Sequence, residues 1–377
     1  MEENYERDSF SMPIRAVEFY SGIGGLHQAL HRSTVDGTVV RAYDWDQAAC
    51  QVYQANHGPC IVKRADISLL TAAELAALRA DLWLLSPSCQ PYTVLNPLAK
   101  GAEDPRAKSF IHLAEVVLPE LVNVGHQPKY MLIENVAGFE TSSTRQRLLH
   151  TLHELGYNTL ELLLTPLQFG IPNSRLRYYL LAKLGPLAFR DAGTDRQKVW
   201  RHIPGQGEEW SDPRDGSDVS AQLSGVKALR EYLDADDSSE EFKIPDRVLE
   251  KWGRLFDIVV PSGKRTCCFT RGYTKLAERA GSVLQLNESL DTTATFDLFL
   301  EEQKQGAADA VRLLDPLRLR YFSPQELLRL FCFDPVTAEG TGDFIWPAEI
   351  SQKTKYKLIG NSVNVEVVRR LINYLFE

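Results

Sequence analysis

Leu84-Leu85-Ser86-Pro87-Ser88-Cys89-Gln90-Pro91-Tyr92-Thr93 is an apolar run that breaks abruptly into a polar turn carrying one cysteine. The run, from Asp81 to Ser86, reads as a buried strand, so Cys89 falls just past its carboxyl end. In an open α/β sheet, ligands and chemistry gather in the crevice beyond those ends. Position alone decides little, because a cysteine there serves equally well as a small core residue.

Upstream and downstream the same rhythm repeats. Ile14 to Tyr20, Val39 to Tyr43 and Cys60 to Arg64 are short strand-like runs, separated by a helical stretch from the Ser21-Gly22-Ile23-Gly24-Gly25-Leu26 turn to about Arg32 and by Asp46 to His57. After Cys89, Lys108 to Val124 reads as one helix, Tyr130 to Ile133 as a strand ending in Glu134-Asn135, and Thr144 to Leu155 as a helix. Thr159 to Thr165 and Leu176 to Lys183 are two more strands. This alternation predicts an α/β fold built on a mostly parallel, doubly wound sheet. From about Leu187 the pattern loosens, and Gly360-Asn361-Ser362 then caps a helix whose apolar stripe runs from Val363 to Leu375. The expected organisation is a large domain over 1–186, a small one over 187–342 with a mobile acidic segment near 205–242, and a returning segment over 343–377.

Composition sets outer limits. A chain of 377 residues with 44% hydrophobic and 24% charged residues has the make-up of a soluble protein with a sizeable core. No run approaches the roughly 18 to 20 apolar residues of a membrane helix, and the start is acidic where a signal peptide is basic. An intracellular protein is expected, in the cytoplasm and also the nucleus, with no membrane association. The six cysteines form no Cys-x-x-Cys pair and no zinc spacing, so no metal is expected. A net charge of −8 argues against indiscriminate coating of nucleic acid but permits a local basic groove. Lys243 to Arg279 supplies one, with Lys264, Arg265, Arg271 and Lys275 as candidate RNA contacts; a solvated helix face is the plainer alternative.

The strand ends carry the chemistry. The Gly22, Gly24, Gly25 turn lacks the full dinucleotide fingerprint, so it suits a ligand at a helix N-terminus other than a pyrophosphate. Asp44 ends the second strand where an acid can accept from both ribose hydroxyls, Trp45 can lie against a purine, and Asp66 can take an adenine amino group. Together they point to an adenosine-containing ligand. Cys89 and Glu134, on strands expected to be neighbours, pair a thiolate with a carboxylic acid, which suits attack on an electron-poor ring. Arg175 and Arg177, two apart on an incipient strand, point the same way and can lower the thiol pKa or hold an anion.

In this order the pieces resemble the cytosine-5 methyltransferases that use S-adenosylmethionine and release S-adenosylhomocysteine. The resemblance runs from Phe19-Tyr20-Ser21-Gly22-Ile23-Gly24-Gly25 through Ser86-Pro87-Ser88-Cys89-Gln90, Glu134-Asn135-Val136 and Arg175-Leu176-Arg177 to Gly360-Asn361-Ser362-Val363-Asn364. Glu140 to Arg145, Asn173 to Tyr178 and Cys268-Phe269-Thr270-Arg271-Gly272-Tyr273 look most like the branch that methylates transfer RNA, at cytosine 38 of an aspartate transfer RNA. It implies a Rossmann-like methyltransferase fold with a small target-recognition domain. It also implies that Cys89 attacks carbon 6 of a flipped cytosine while Glu134 contacts ring nitrogen 3. Arg177 would hold the cytosine carbonyl oxygen and Glu134, Arg175 would lie near the thiol or a phosphate, and Asn135 would fix the loop. Tyr20 and the glycine turn match the methionine end of the cofactor, Asp44 and Trp45 the ribose and adenine, Asp66 the adenine amino group, and Asn361 a contact from the returning segment. The expected partner is transfer RNA, with weak DNA binding, and the expected state a monomer. One residue departs from the family pattern: Ser88 stands where it has proline, which leaves the catalytic loop looser and predicts a slower or conditionally active enzyme. A DNA cytosine-5 methyltransferase and a non-catalytic RNA-binding homologue are the alternative readings.

Overall fold

The computed structural model describes residues 12–90, 92, 103–193, 195, 197–207, 210–211, 223–234, 240–334 and 343–377. Pro91 and Thr93 of the opening stretch, and 208–209, 212–222 and 235–239 of the acidic segment, lie outside them.

Strands β1 (Ile14–Phe19), β2 (Gly37–Asp44), β3 (Val62–Arg64) and β4 (Leu82–Leu85) alternate with helices α1 (Gly25–His31), α2 (Gln47–His57) and α3 (Ala72–Ala76). Every residue of β4 is buried, which is why it reads as an unbroken apolar run: a strand covered on both faces needs no polar alternation. Asp46 starts α2 by accepting from the N–H groups of Ala48 and Ala49. The predicted single helix after Cys89 is α4 (Lys108–His112) and α5 (Leu118–Asn123) joined by a π turn over Leu113–Val117. Pro119, in the first turn of α5, has no N–H to continue an α-helical ladder, and the wider turn absorbs that loss.

The remaining strands of the main sheet are β5 (Tyr130–Val136), β6 (Tyr157–Leu164), β7 (Arg177–Leu184) and β8 (Val199–Trp200), with α6 (Ser143–Glu154) between β5 and β6. The strand order is β3-β2-β1-β4-β5-β7-β6-β8. β1 to β5 pair in parallel, whereas β7 runs antiparallel to both β5 and β6. The chain winds outward from β1 to β3 and then restarts on the other side of β1 with β4. That switch point opens the crevice between the ends of β1 and β4. Because β8 pairs with β6, the sheet extends past residue 186.

After α7 (Asp246–Trp252), strands β9 (Asp257–Val259), β10 (Ser282–Gln285) and β11 (Leu319–Arg320) make a second, three-stranded sheet, with α8 (Thr292–Lys304) and α9 (Pro324–Leu330) beside it. One apolar core runs without a break from Ala16 and Leu26 under the main sheet to Phe269, Val283 and Phe322 under the small one. Last come α10 (Gln352–Gly360) and α11 (Val365–Leu375). Asn364, not the Gly360–Ser362 turn, caps α11, its side chain accepting from Val367 N at 3.2 Å. The buried stripe of α11 packs on α1, bringing the end of the chain back to its beginning.

Candidate active site

Two loops face each other across the switch point. The first follows β1. Tyr20 and Gly22 take positive φ of 58° and 53°, a conformation that costs glycine little and tyrosine more. Gly22 N donates to Asp44 Oδ2 at 2.8 Å, and Asp46 N donates to Asp44 Oδ1 at 2.7 Å. Asp44 therefore ties the end of β2 to the glycine turn; burial raises its pKa, while those two N–H groups pull it back. A Cβ at Gly22 would meet nothing within 4 Å, so the backbone there borders open space. Gly24 and Gly25 differ: a Cβ would lie 2.2 Å from His57 Nε2 and 2.6 Å from Val363 Cγ2, so packing fills both places.

Around this turn stand the other candidates for a nucleoside. Trp45 is 66% exposed, with Arg64 5.8 Å over its ring, leaving an aromatic face in water. Asp66 Oδ1 accepts from Ser68 N and Oγ at 2.9 and 2.7 Å, bonds that hold this carboxyl below its usual range. The Tyr20 hydroxyl donates to Ser109 Oγ at 3.0 Å, and burial raises its pKa. Ser21 Oγ is buried with no partner among the described residues. An open glycine backbone, an orphaned hydroxyl and an exposed indole fit an adenosine-bearing cofactor. Asn361 is exposed at the end of α10, and the returning segment meets the glycine turn through Val363.

The second loop leaves β4. Ser86 Oγ donates to Tyr20 O at 2.9 Å, and Asn135 Nδ2 donates to Pro87 O at 3.3 Å while Asn135 Oδ1 accepts from Val136 N. Cys89 is thus anchored on its N-terminal side from both neighbouring strands. Burial pushes its thiol pKa up; Arg177 and Arg175 pull it down, and the Glu134 charge adds to the rise. Glu134 is nearly buried, and desolvation raises its pKa against the pull of Arg177 and Arg175. Arg177 Nε lies 3.4 Å from Glu134 Oε1, and Arg177 also donates to Leu176 O at 2.8 Å. A thiol and a protonatable acid with a guanidinium beside the acid can add to and protonate a heteroaromatic ring.

Arg175 lies within electrostatic reach of the Cys89 thiol and is otherwise tied to the backbone. It is 3% exposed and donates to Phe269 O at 2.9 Å, Ser362 O at 2.6 Å and Gly360 O at 3.3 Å, over the Phe331 ring. The cause is that β7 begins only at Arg177, so Arg175 belongs to the connection that runs under the small sheet. Cys268, read only as part of a motif, has its Sγ 3.3 Å from Arg175 and 3.5 Å from Arg177. Asn173 joins it by donating to Thr266 Oγ1 and Cys267 O. No local signal in the sequence reports such contacts across nearly a hundred positions.

Of the four candidate RNA contacts, Lys264 donates to Leu223 O and Ser224 O, and Arg265 pairs with Asp257 at 3.0 Å. Arg271 and Lys275 are exposed and have no ion pair among the described residues. Among those residues no cluster of three metal-ligating side chains occurs, and no helix is long and apolar enough to cross a membrane.

Comparison with known proteins gives this geometry a family. A profile described as C-5 cytosine-specific DNA methylase matches residues 14–377. The chain is 38% identical to the tRNA (cytosine(38)-C(5))-methyltransferase of Schizosaccharomyces pombe, over 97% of both chains. It is 35% identical to the protein of the same name from Homo sapiens, over 97% of this chain and 100% of that one. The crystal structure of the S. pombe Dnmt2 methyltransferase superposes with a TM-score of 0.74 and 36% identity, covering 97% of this chain and 98% of that one. With a cysteine and an acid at adjacent strand ends, facing a glycine turn built for an adenosine ligand, this chain belongs to the C-5 cytosine-specific DNA methylase family, whose cofactor is S-adenosylmethionine.

Proposed function

We propose that this enzyme methylates carbon 5 of a cytosine in transfer RNA, at position 38 in the anticodon loop of an aspartate transfer RNA. The observation that carries the chemistry is the meeting of Cys89, just past β4, with Glu134 near the end of β5 and Arg177 at the start of β7. The choice of RNA rests on the names of the relatives and on physics. A methyltransferase must extrude its target base, which costs a few kcal/mol in a duplex and much less in a loop already single-stranded.

Cys89, as thiolate, adds to carbon 6 of the cytosine. Glu134, its pKa raised by burial, gives a proton to ring nitrogen 3, so electron density flows to carbon 5. Arg177 orients the Glu134 carboxyl and holds the ring carbonyl oxygen. S-adenosylmethionine, when bound, supplies an electrophilic methyl group. Tyr20, Ser21 and Gly22 would hold its methionine end, Asp44 its ribose, and Trp45 and Asp66 its adenine. Loss of the carbon 5 proton then expels Cys89, and ring nitrogen 3 returns its proton to Glu134, which restores the ring. The enzyme works as a monomer in the cytoplasm and nucleus, and binds DNA weakly.

Bisulfite sequencing of transfer RNA after incubation with S-adenosylmethionine tests the reading, with duplex DNA at matched salt as comparison. Methylation at position 38 and little on DNA is expected; equal rates would promote the DNA reading. Cys89→Ala should abolish turnover, and wild-type enzyme should form a denaturation-resistant adduct with RNA carrying 5-fluorocytosine, since fluorine cannot leave as a proton. A catalytically silent homologue would form none.

A further inference from the structure

Away from the crevice, a groove of about 450 Å³ opens between α7, the segment after it and the turn around 274–278. Its walls include Trp252, Leu255, Phe256, Leu276 and Tyr321, with Lys275 among them. Trp252 and Leu255 are each 44% exposed and Leu276 is 61% exposed. Large apolar side chains left in water around one concavity mark a binding surface, and this volume is of the size that takes a small organic group.

Charge identifies what kind of group. Lys275, Arg271 and Arg279 are exposed and unpaired by acids among the described residues, and Lys251 Nζ sits 4.9 Å over the Trp252 ring. Arg254 is matched by Asp297, and Glu278 is the acid on the wall. Lys251 and Lys275 thus stand at an aromatic face against one wall acid, and Arg271 and Arg279 flank the 274–278 turn in sequence, on a chain whose net charge is −8. An apolar peptide uses only the walls. A nucleotide uses both, its base on the indole and its phosphate on the cations.

Connectivity fixes the distance. Cys268, in contact with Arg177 of the active site, precedes Thr274 on the groove wall by a segment that cannot span more than about 20 Å even if fully extended. The groove wall at Thr274 therefore lies within the length of a few nucleotides of Cys268, the scale of a transfer RNA loop.

We propose that this groove binds an unpaired base of the RNA substrate close in sequence to the target cytosine, stacked on Trp252 with its phosphate at Lys275. The proposal rests on the transfer RNA reading above. It makes the groove a second anchor on the loop, holding the strand while the target base leaves the stack.

The test uses a synthetic RNA hairpin whose loop carries the target cytosine, together with versions lacking one loop base each. Affinities are read by anisotropy for wild type, Trp252→Ala and Leu276→Ser; Leu276 is exposed enough to change without loss of fold. One missing base should weaken wild type by about tenfold and weaken the two variants no further, while S-adenosylmethionine affinity stays unchanged in all three. Both variants binding the intact hairpin within about twofold of wild type would overturn the proposal, as would the same penalties in variants and wild type at every loop position. An apolar peptide as the true occupant gives the first of these results. Failure of the underlying reading looks different: wild-type enzyme would leave transfer RNA unmethylated.

Discussion

Arg177 Nε lies 3.4 Å from Glu134 Oε1 across the antiparallel β5–β7 pair, with both side chains largely withdrawn from water. A parallel neighbour could not have offered this residue at this level without a crossover connection; the reversal of β7 brings it back beside the acid. Arg177 is also the first counter-charge on Cys89 and on Glu134.

Arg177→Ala should accordingly change both limbs of the pH profile. The rate needs Cys89 deprotonated and Glu134 protonated, and Arg177 lowers the pKa of each. Without it the rise of kcat with pH moves to higher pH, and kcat falls on the order of 10²- to 10⁴-fold. Steady-state rates across the pH range, corrected for folded fraction, check this; an unmoved acidic limb would count against the pairing. Glu134→Gln should lose turnover while keeping cofactor affinity.

Asp44 has two jobs, since its oxygens already take the N–H groups of Gly22 and Asp46. Asp44→Ala should weaken S-adenosylmethionine binding about ten- to a hundredfold, through lost charge-assisted hydrogen bonds of about 1.5 to 3 kcal/mol. Asp44→Asn keeps an acceptor for Gly22 and should fall between. Calorimetry that finds both variants unchanged would move the ribose elsewhere.

Arg175→Ala should be a stability variant before it is a catalytic one. It leaves three buried carbonyls without their donor, so a loss of about 3 kcal/mol or more is expected in urea denaturation. Arg175→Lys should rescue little, because one ammonium cannot span Phe269, Gly360 and Ser362 as the planar fork does.

Glu18 gives a pH signature below the cofactor turn. Fully buried on β1, it accepts from the Tyr53 hydroxyl at 2.9 Å, and burial pushes its pKa from 4.5 to about 8. A raised carboxyl pKa contributes stability that is complete below the unfolded value and is lost as pH climbs toward about 8. His27 and His57, lowered by burial to about 3 and about 4, act oppositely, losing stability as pH falls below 6.5. Glu18→Gln should therefore gain on wild type as pH goes from 5 to 8, read as the difference between the two denaturation series. A constant difference would assign Glu18 an ordinary pKa.

Local pattern sufficed for the strand ends and for Cys89, Glu134 and Asp44, because a parallel sheet writes buried strands as apolar runs and puts chemistry at their tips. It did not give the direction of β7, since a strand of buried residues reads alike either way. Nor did it give the fate of Arg175. Spacing put the two arginines on one face, but the partners of Arg175 lie at Phe269, Gly360 and Ser362, and contacts so distant leave no local mark. Nor did local pattern show that helix α10 ends on Asn361 and that Val363 is the residue packed on Gly25. Nor did it show that Lys264 and Arg265, candidate RNA contacts in a charged run, also bond within the protein, to Leu223 O and Asp257.

The meeting of Val363 with Gly25 sets a constraint in time. A ribosome delivers the glycine turn long before the segment that backs it. Until then α1 lacks the helix it packs against, and Arg175 lacks two of its three carbonyls. The growing chain can lay down strands in order, but the glycine turn lacks its backing until Val363 has been made, and a chain stalled short of that residue would carry Cys89 beside an unbacked turn.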